Sequence, residues 1–130
     1  MSENFKVEII TPDKIMLSGE ALETTIPSFE GLMTILKDHI SLVTFLRPGI
    51  VKVTSKNLTE NFFIEEGTVE FSNNNLLILT TSAINLKNFT SEQIIEKIKE
   101  TKENISKSNN NDKFNYILSH KLQVLEEINQ

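Results

Sequence analysis

The chain has 130 residues, a length that suits one domain or two small ones sharing a core, with 38% apolar and 24% charged residues, an ordinary globular balance. Its 13 Lys and Arg stand against 18 Asp and Glu, and the net charge of −5 has the wrong sign for generic attraction to phosphate backbones, so no nucleic-acid partner is expected. The absence of cysteine excludes disulfides, thiolate metal sites and cysteine nucleophiles, and two histidines cannot assemble a multi-histidine metal centre.

The opening MSENFKVEII lacks a basic segment followed by an apolar stretch, and no run approaches the roughly 20 apolar residues that span a bilayer. This pattern predicts a cytoplasmic soluble protein, one that is equally suited to docking on a membrane complex.

From Phe5 to about Ala83 the apolar pattern has period two. Phe5, Val7 and Ile9 share one face, with Lys6 and Glu8 on the other, and Thr11-Pro12-Asp13-Lys14 reads as a turn. Strands are predicted at Lys14–Leu17, Glu20–Ile26, Leu32–Leu36, Leu42–Leu46, Ile50–Ser55, Asn61–Glu65, Thr68–Phe71 and Leu76–Ser82, separated by SGE, PSFEG, KDH, RPG, KNLTE and SNNN. Such spacing predicts a β-sandwich or flattened barrel. Leu76-Leu77-Ile78-Leu79 is apolar on both faces, which predicts a central strand covered on each side, with downstream elements supplying the outer cover.

After Leu86 no Gly or Pro occurs, and the period becomes helical. Thr90-Ser91-Glu92-Gln93 has capping-box spacing, with Phe89 and Ile94 placed as a hydrophobic staple. Ile94, Ile98, Thr101 and Ile105 form one stripe, and the polar run from Lys107 to Asp112 predicts a turn with Asp112 capping a second helix. That helix carries Phe114, Ile117, Leu118, Leu122, Val124, Leu125 and Ile128, a stripe wider than one thin neighbour requires. The two helices are expected to form an antiparallel hairpin whose wide stripe meets either the sandwich or another protein.

Catalytic chemistry finds no support. Asp38, His39 and Ser41 resemble triad members, yet neighbours in one turn cannot align a nucleophile, a base and an orienting acid, which disfavours an esterase using His39. Glu65 and Glu66 are adjacent on a predicted strand, so they point to opposite faces and share no proton. Gly19, Gly31, Gly49 and Gly67 are isolated and read as turn residues, not as a phosphate-binding loop. His120 reads as a partly exposed helical histidine. Lys97, Lys99, Lys102 and Lys107, interleaved with Glu96, Glu100 and Glu103, read as a solvated face with i,i+4 pairing.

The stretch ETTIPSFEGLMTILKDHISLVTFLRPGIVKV resembles the epsilon subunit of bacterial F-type ATP synthases, the counterpart of mitochondrial delta, and the resemblance extends over nearly the whole chain. It is carried by Thr11-Pro12, Met16-Leu17-Ser18-Gly19-Glu20, Glu30-Gly31, Ile35-Leu36, His39, Leu42-Val43-Thr44, Leu46, Pro48-Gly49-Ile50, Gly67, Leu77-Ile78-Leu79 and Ala83. The departures are Lys37-Asp38-His39 for the family's PGH, Glu65-Glu66-Gly67 for its SGG, and Leu32 where a polar residue is usual. At Phe89-Thr90-Ser91-Glu92-Gln93-Ile94 the family's nucleotide signature is altered: Thr90 keeps the capping role, whereas Gln93 lacks the cation that pairs with phosphate.

The resemblance implies a non-catalytic central-stalk subunit, a β-sandwich over 1–86 followed by a helical hairpin over 87–130, which couples proton-driven rotor rotation to ATP synthesis. It implies binding to the gamma subunit and the c-ring, at the cytoplasmic face of the bacterial inner membrane, and a hairpin able to reach the alpha/beta catalytic head and inhibit hydrolysis. Lys113 and Lys121 are that hairpin's few second-helix cations, set against Glu126 and Glu127. The c-ring contact is expected at Glu30, Gly31, Leu32, Lys37, Asp38 and His39, and the gamma contact at Glu65, Glu66, Gly67 and Phe71, with no cofactor. The alternative is a stand-alone nucleotide-sensing module.

Overall fold

The computed structural model describes residues 3–107 and 112–129, and the side chains from residue 115 onward in the last helix. The expected polar turn lies outside the described residues, as do the side chains of Asp112, Lys113 and Phe114.

Ten strands precede the helices: β1 Phe5–Ile10, β2 Ile15–Ala21, β3 Glu23–Ser28, β4 Gly31–Leu36, β5 Leu42–Leu46, β6 Gly49–Thr54, β7 Thr59–Ile64, β8 Gly67–Ser72, β9 Asn75–Thr80 and β10 Ala83–Asn85. They pair in the order β10-β7-β6-β3-β5-β8-β9-β1-β2, with β4 also paired to β3. The β3–β5 link is the single register pair Ser28 with Leu46, a corner where the sheet folds on itself. The result is a flattened, nearly closed barrel with two layers, as the period-two pattern predicts.

The alternation in each strand sends one set of side chains into a shared core, including Phe5, Val7 and Ile9 from β1, Phe62 and Ile64 from β7, and Leu76 and Ile78 from β9. Phe5 and Phe71 meet edge to face, with centroids 5.7 Å apart. Asn73 and Asn74 both have positive φ, 50° and 58°, the conformation a two-residue hairpin turn requires, and they join β8 to β9.

Two expectations about the sheet are corrected, and one strand adds to it. Ser18-Gly19-Glu20 is not a turn but lies within β2, where Gly19 pairs with Val7. β2 is an edge strand and no atom lies within 4 Å of the Cβ position of Gly19, so the missing side chain costs no packing there. β10, three residues long, is too short for alternation to reveal.

The second correction concerns the cover over the sheet. β9 is central, but its outer face is open: Leu77 is half-buried and Leu79 is 45% exposed. The helices lie instead on the other layer, against Phe63, Ile50 and Ile84. β7 is the strand buried from both sides, because Phe62 and Ile64 enter the core while Phe63, fully buried, points to the helices.

After a 3-10 turn at Leu86–Asn88 come α1, Ser91–Lys107, and α2, Asp112–Ile128. The capping box forms in both directions: the Thr90 amide donates to Gln93 Oε1 at 3.1 Å and the Gln93 amide to Thr90 Oγ1 at 3.2 Å. Phe89 and Ile94, the predicted staple, join Leu125 of α2 in the cluster around Phe63, and Phe63 and Phe89 stack at 5.8 Å. Thr101 is fully buried on the α1 stripe, and its hydroxyl is satisfied by the Lys97 carbonyl at 2.7 Å. Among the described residues no ion pair closes between the α1 lysines and glutamates, so this face is solvated without the expected pairing.

Candidate functional site

An open surface follows from the uncovered layer. Register places Phe45, Thr68, Leu79, Ile10 and Ile15 in one row across β5, β8, β9, β1 and β2. The neighbouring row reads Val43, Glu70, Leu77, Glu8 and Ser18. Since partners in register share a face, these rows form one outer surface. Val43 is 75% exposed, Phe45 66% and Ile15 59%. Single exposed apolar residues are ordinary, but a row across five strands that is apolar except at Thr68 is the kind of surface on which macromolecules dock.

At one end this surface deepens into a groove of about 890 Å³. Ile10, Pro12, Phe29, Phe45 and Leu79 supply apolar walls, Ile117 of α2 closes one side, and Glu66 and Thr81 stand at its polar rim. The hairpin therefore borders the groove without covering the row.

The expected site residues separate into two groups. Glu30 and Gly31 sit in the β3–β4 turn, where Gly31 has φ +126° and Ser28 Oγ donates to the Gly31 carbonyl at 2.6 Å. Glu30 is exposed, and Leu32 is 72% exposed on the outer side of β4. Lys37, Asp38 and His39 lie past the other end of β4, roughly 17 Å away at about 3.3 Å per residue. The two turns, expected to act as one contact, are at opposite ends of the sandwich.

The Asp38 turn is anchored to the β8–β9 turn. The Asp38 amide donates to Asn74 Oδ1 at 2.7 Å and Asn74 Nδ2 donates to Asp38 Oδ1 at 3.0 Å, which holds Asp38 at φ 65°. His39 and Phe71 meet edge to face, centroids 6.0 Å apart, and His39 Nδ1 lies 2.8 Å from the Ile40 carbonyl. His39 therefore braces its own loop, and Ile40 beside it is the exposed apolar residue, at 78%.

The second expected group lies where the chain crosses from β7 to β8. Glu65 is ion-paired with Lys121 of α2, both half-buried. Glu66 is exposed, and its carbonyl accepts from the Thr80 hydroxyl at 2.6 Å. Gly67 packs its backbone on β9, so that a Cβ there would press on the Leu79 carbonyl oxygen and lie 2.9 Å from Thr80 Cα. Phe71 is 1% exposed and belongs to the core, so its side chain offers nothing to a partner.

Sequence reasoning missed the row itself. Its signal was present in Val43, Phe45, Leu77 and Leu79, apolar residues at positions that alternation assigns to the outer face.

At the start of α1, the Gln93 side chain is engaged in the cap. Among the described residues no group of three or more His, Asp or Glu gathers as metal ligands, and no helix is long and apolar enough to cross a membrane.

The family model for the ATP synthase delta/epsilon chain beta-sandwich domain matches residues 4–86. The ATP synthase epsilon chain of Pelagibacter ubique is 45% identical over 130 residues, covering 99% of this chain and 100% of that one. The ATP synthase epsilon chain of a Nitratiruptor species is 31% identical over 110 residues, 84% of this chain and 85% of its own. Two solved structures share the fold. A chain of the Euglena gracilis mitochondrial ATP synthase, OSCP/F1/c-ring in rotational state 1, superposes with TM-score 0.75 at 19% identity, over 97% of this chain and 79% of that one. A chain of the Tetrahymena thermophila mitochondrial ATP synthase central stalk/c-ring superposes with TM-score 0.68 at 18% identity, over 96% of each.

Proposed function

The chain belongs to the ATP synthase delta/epsilon chain family, and from that membership we propose that it works as a non-catalytic rotor subunit, binding the gamma subunit and the c-ring so that ion-driven rotation reaches the catalytic head. The observation that carries this reading is the uncovered apolar row through Phe45, Leu79, Ile10 and Ile15, on a sheet whose relatives belong to ATP synthases.

A torque-bearing subunit needs a stiff body and a broad dry contact. Two layers of mostly antiparallel strands, with β1 and β9 the parallel pair, around one close-packed core provide stiffness, because such interiors have low compressibility. The apolar row provides the contact, since removing it from water is favourable in proportion to its area. The gamma subunit is the partner assigned to this row, with Glu66 at its rim and Gly67 holding β8 tight to β9. Glu65 is satisfied within the chain by Lys121 and needs no basic residue from gamma.

The c-ring contact is assigned to the exposed Glu30-Gly31-Leu32 turn. The Lys37-Asp38-His39 turn, at the other end, then borders the gamma-facing strand β5 instead of joining that contact. The protein sits peripherally at the cytoplasmic face of the membrane, held by these two partners. The docked hairpin is the resting arrangement, and its extension toward the alpha/beta head would inhibit hydrolysis.

Reconstitution tests the reading. Added to an ATP synthase stripped of its own epsilon subunit, this chain should restore ATP-driven ion pumping, and Glu30→Ala with Leu32→Ala should lower pumping relative to hydrolysis. Full pumping by that double variant would remove the c-ring assignment, and no restoration by the unaltered chain would remove the rotor role.

A further inference from the structure

The end of the hairpin nearest the β3–β4 turn is fastened to the sandwich by side chains the stalk reading does not use. Phe29 stacks on Tyr116 with centroids 6.3 Å apart and planes 19° from parallel, and Tyr116 meets His120 edge to face at 4.5 Å. One turn of α2 therefore carries a ladder of three rings from the sandwich to an imidazole. Lys121, the next residue, pairs with Glu65 at the end of β7.

His120 lies in a groove of about 400 Å³ between α2 and the sheet, lined also by Arg47, Lys52, Gln123 and Glu127. The charges around it come from three sides: Arg47 at the β5–β6 corner, Lys52 on β6, and Lys121 and Glu127 on its own helix. Lys121 is compensated by Glu65. Among the described residues, the other charges lining the groove are Arg47, Lys52 and Glu127, and of these the Arg47 guanidinium acts on the imidazole.

We propose that this cluster is an acid-released latch: neutral His120 lets α2 lie against the sandwich, and protonated His120, set beside Arg47, loosens that contact. Partial burial, and then the Arg47 guanidinium, hold the docked imidazole below its ordinary pKa of 6.5. A released helix carries His120 in water without that penalty, so it binds the proton more readily than the docked one. By linkage the docked state has its full advantage above 6.5 and loses it as the pH falls through 6.5. The apolar cluster of Phe63, Phe89, Ile94 and Leu125, toward the other end of the helices, carries no titrating group and would act as the hinge side. The proposal concerns contacts within this chain and stands or falls apart from the rotor reading.

The chain has no cysteine, so dyes can be attached at two introduced ones, Asp13→Cys in the exposed β1–β2 turn and Ser119→Cys on the exposed side of α2. Energy transfer between them, measured on the full chain from pH 8 to 5.5, reads docking, and far-UV circular dichroism reads the fold. The expected result is a reversible fall in transfer that begins as the pH passes 6.5, with unchanged dichroism. His120→Phe, which keeps a ring on Tyr116, should flatten the profile. His39→Gln, which removes the sequence's other histidine, should leave it as in the parent. A flat parent profile, a His120→Phe profile equal to the parent's, or a response that follows His39 would each overturn the proposal.

Discussion

Phe45 and Phe71 are both phenylalanines on strands that pair with each other, yet their environments are opposite. Phe71 is 1% exposed, between Phe5 and His39, and Phe45 is 66% exposed. Phe71→Ala should therefore cost about 3–5 kcal/mol in urea unfolding, the range for a buried phenylalanine, while Phe45→Ala should change stability by no more than about 0.5 kcal/mol. Gly67 is set by a different constraint, because a Cβ there meets the backbone of β9 and neither strand can yield without losing ladder bonds. Gly67→Ala should destabilise by about 1–3 kcal/mol, as overpacking does, and an unfolding midpoint equal to the parent's would contradict the close approach. The same contrast explains why the site was partly illegible. Alternation assigns an inside and an outside, but the pairing of Asp38 with Asn74, 36 positions away, and of Glu65 with Lys121 depends on which turns fold together, and no local pattern encodes that.

Most elements were legible because their signals are local. The strands expected from alternation, the Thr90 cap and the Phe89–Ile94 staple need only neighbours in sequence, and they are present. The cover was not legible: the two-faced apolar run Leu76–Leu79 pointed to β9, and only the order of the sheet decides that the helices reach Phe63 and not Leu79. The cap carries its own prediction. Thr90→Ala removes the acceptor for the Gln93 amide and should cost α1 about 1 kcal/mol, seen as faster amide exchange in its first turn with the strands unaffected. The boundary near Leu86 carries another. The main core is built entirely from strand residues, so a chain ending at Leu86 should keep the dichroism of the sandwich. It should also bind an apolar dye or self-associate, since Phe63, Ile50 and Ile84 lose their cover. An unfolded fragment would show that the hairpin is part of the folding unit.

At the scale of the whole molecule, one layer of the sandwich is closed by the chain's own helices and the other is left open along an apolar row, the face proposed for a partner. Family membership places the chain among ATP synthase delta/epsilon chains, and the gamma subunit is the partner proposed for the open layer. In the proposed assembly this row, rather than the charged turn at Glu65, holds the chain to the gamma subunit. Equilibrium binding of the purified chain to the gamma subunit, with Phe45→Ser and Leu79→Ser introduced together, is the direct measurement. Both residues are exposed in the free chain, so the double variant should unfold at the parent's midpoint. Loss of two apolar side chains from a dry contact, each worth about 1.5–3 kcal/mol when fully buried, predicts affinity weakened by at least about tenfold, the equivalent of about 1.4 kcal/mol. An affinity within about twofold of the parent's, on a correctly folded variant, would contradict the claim.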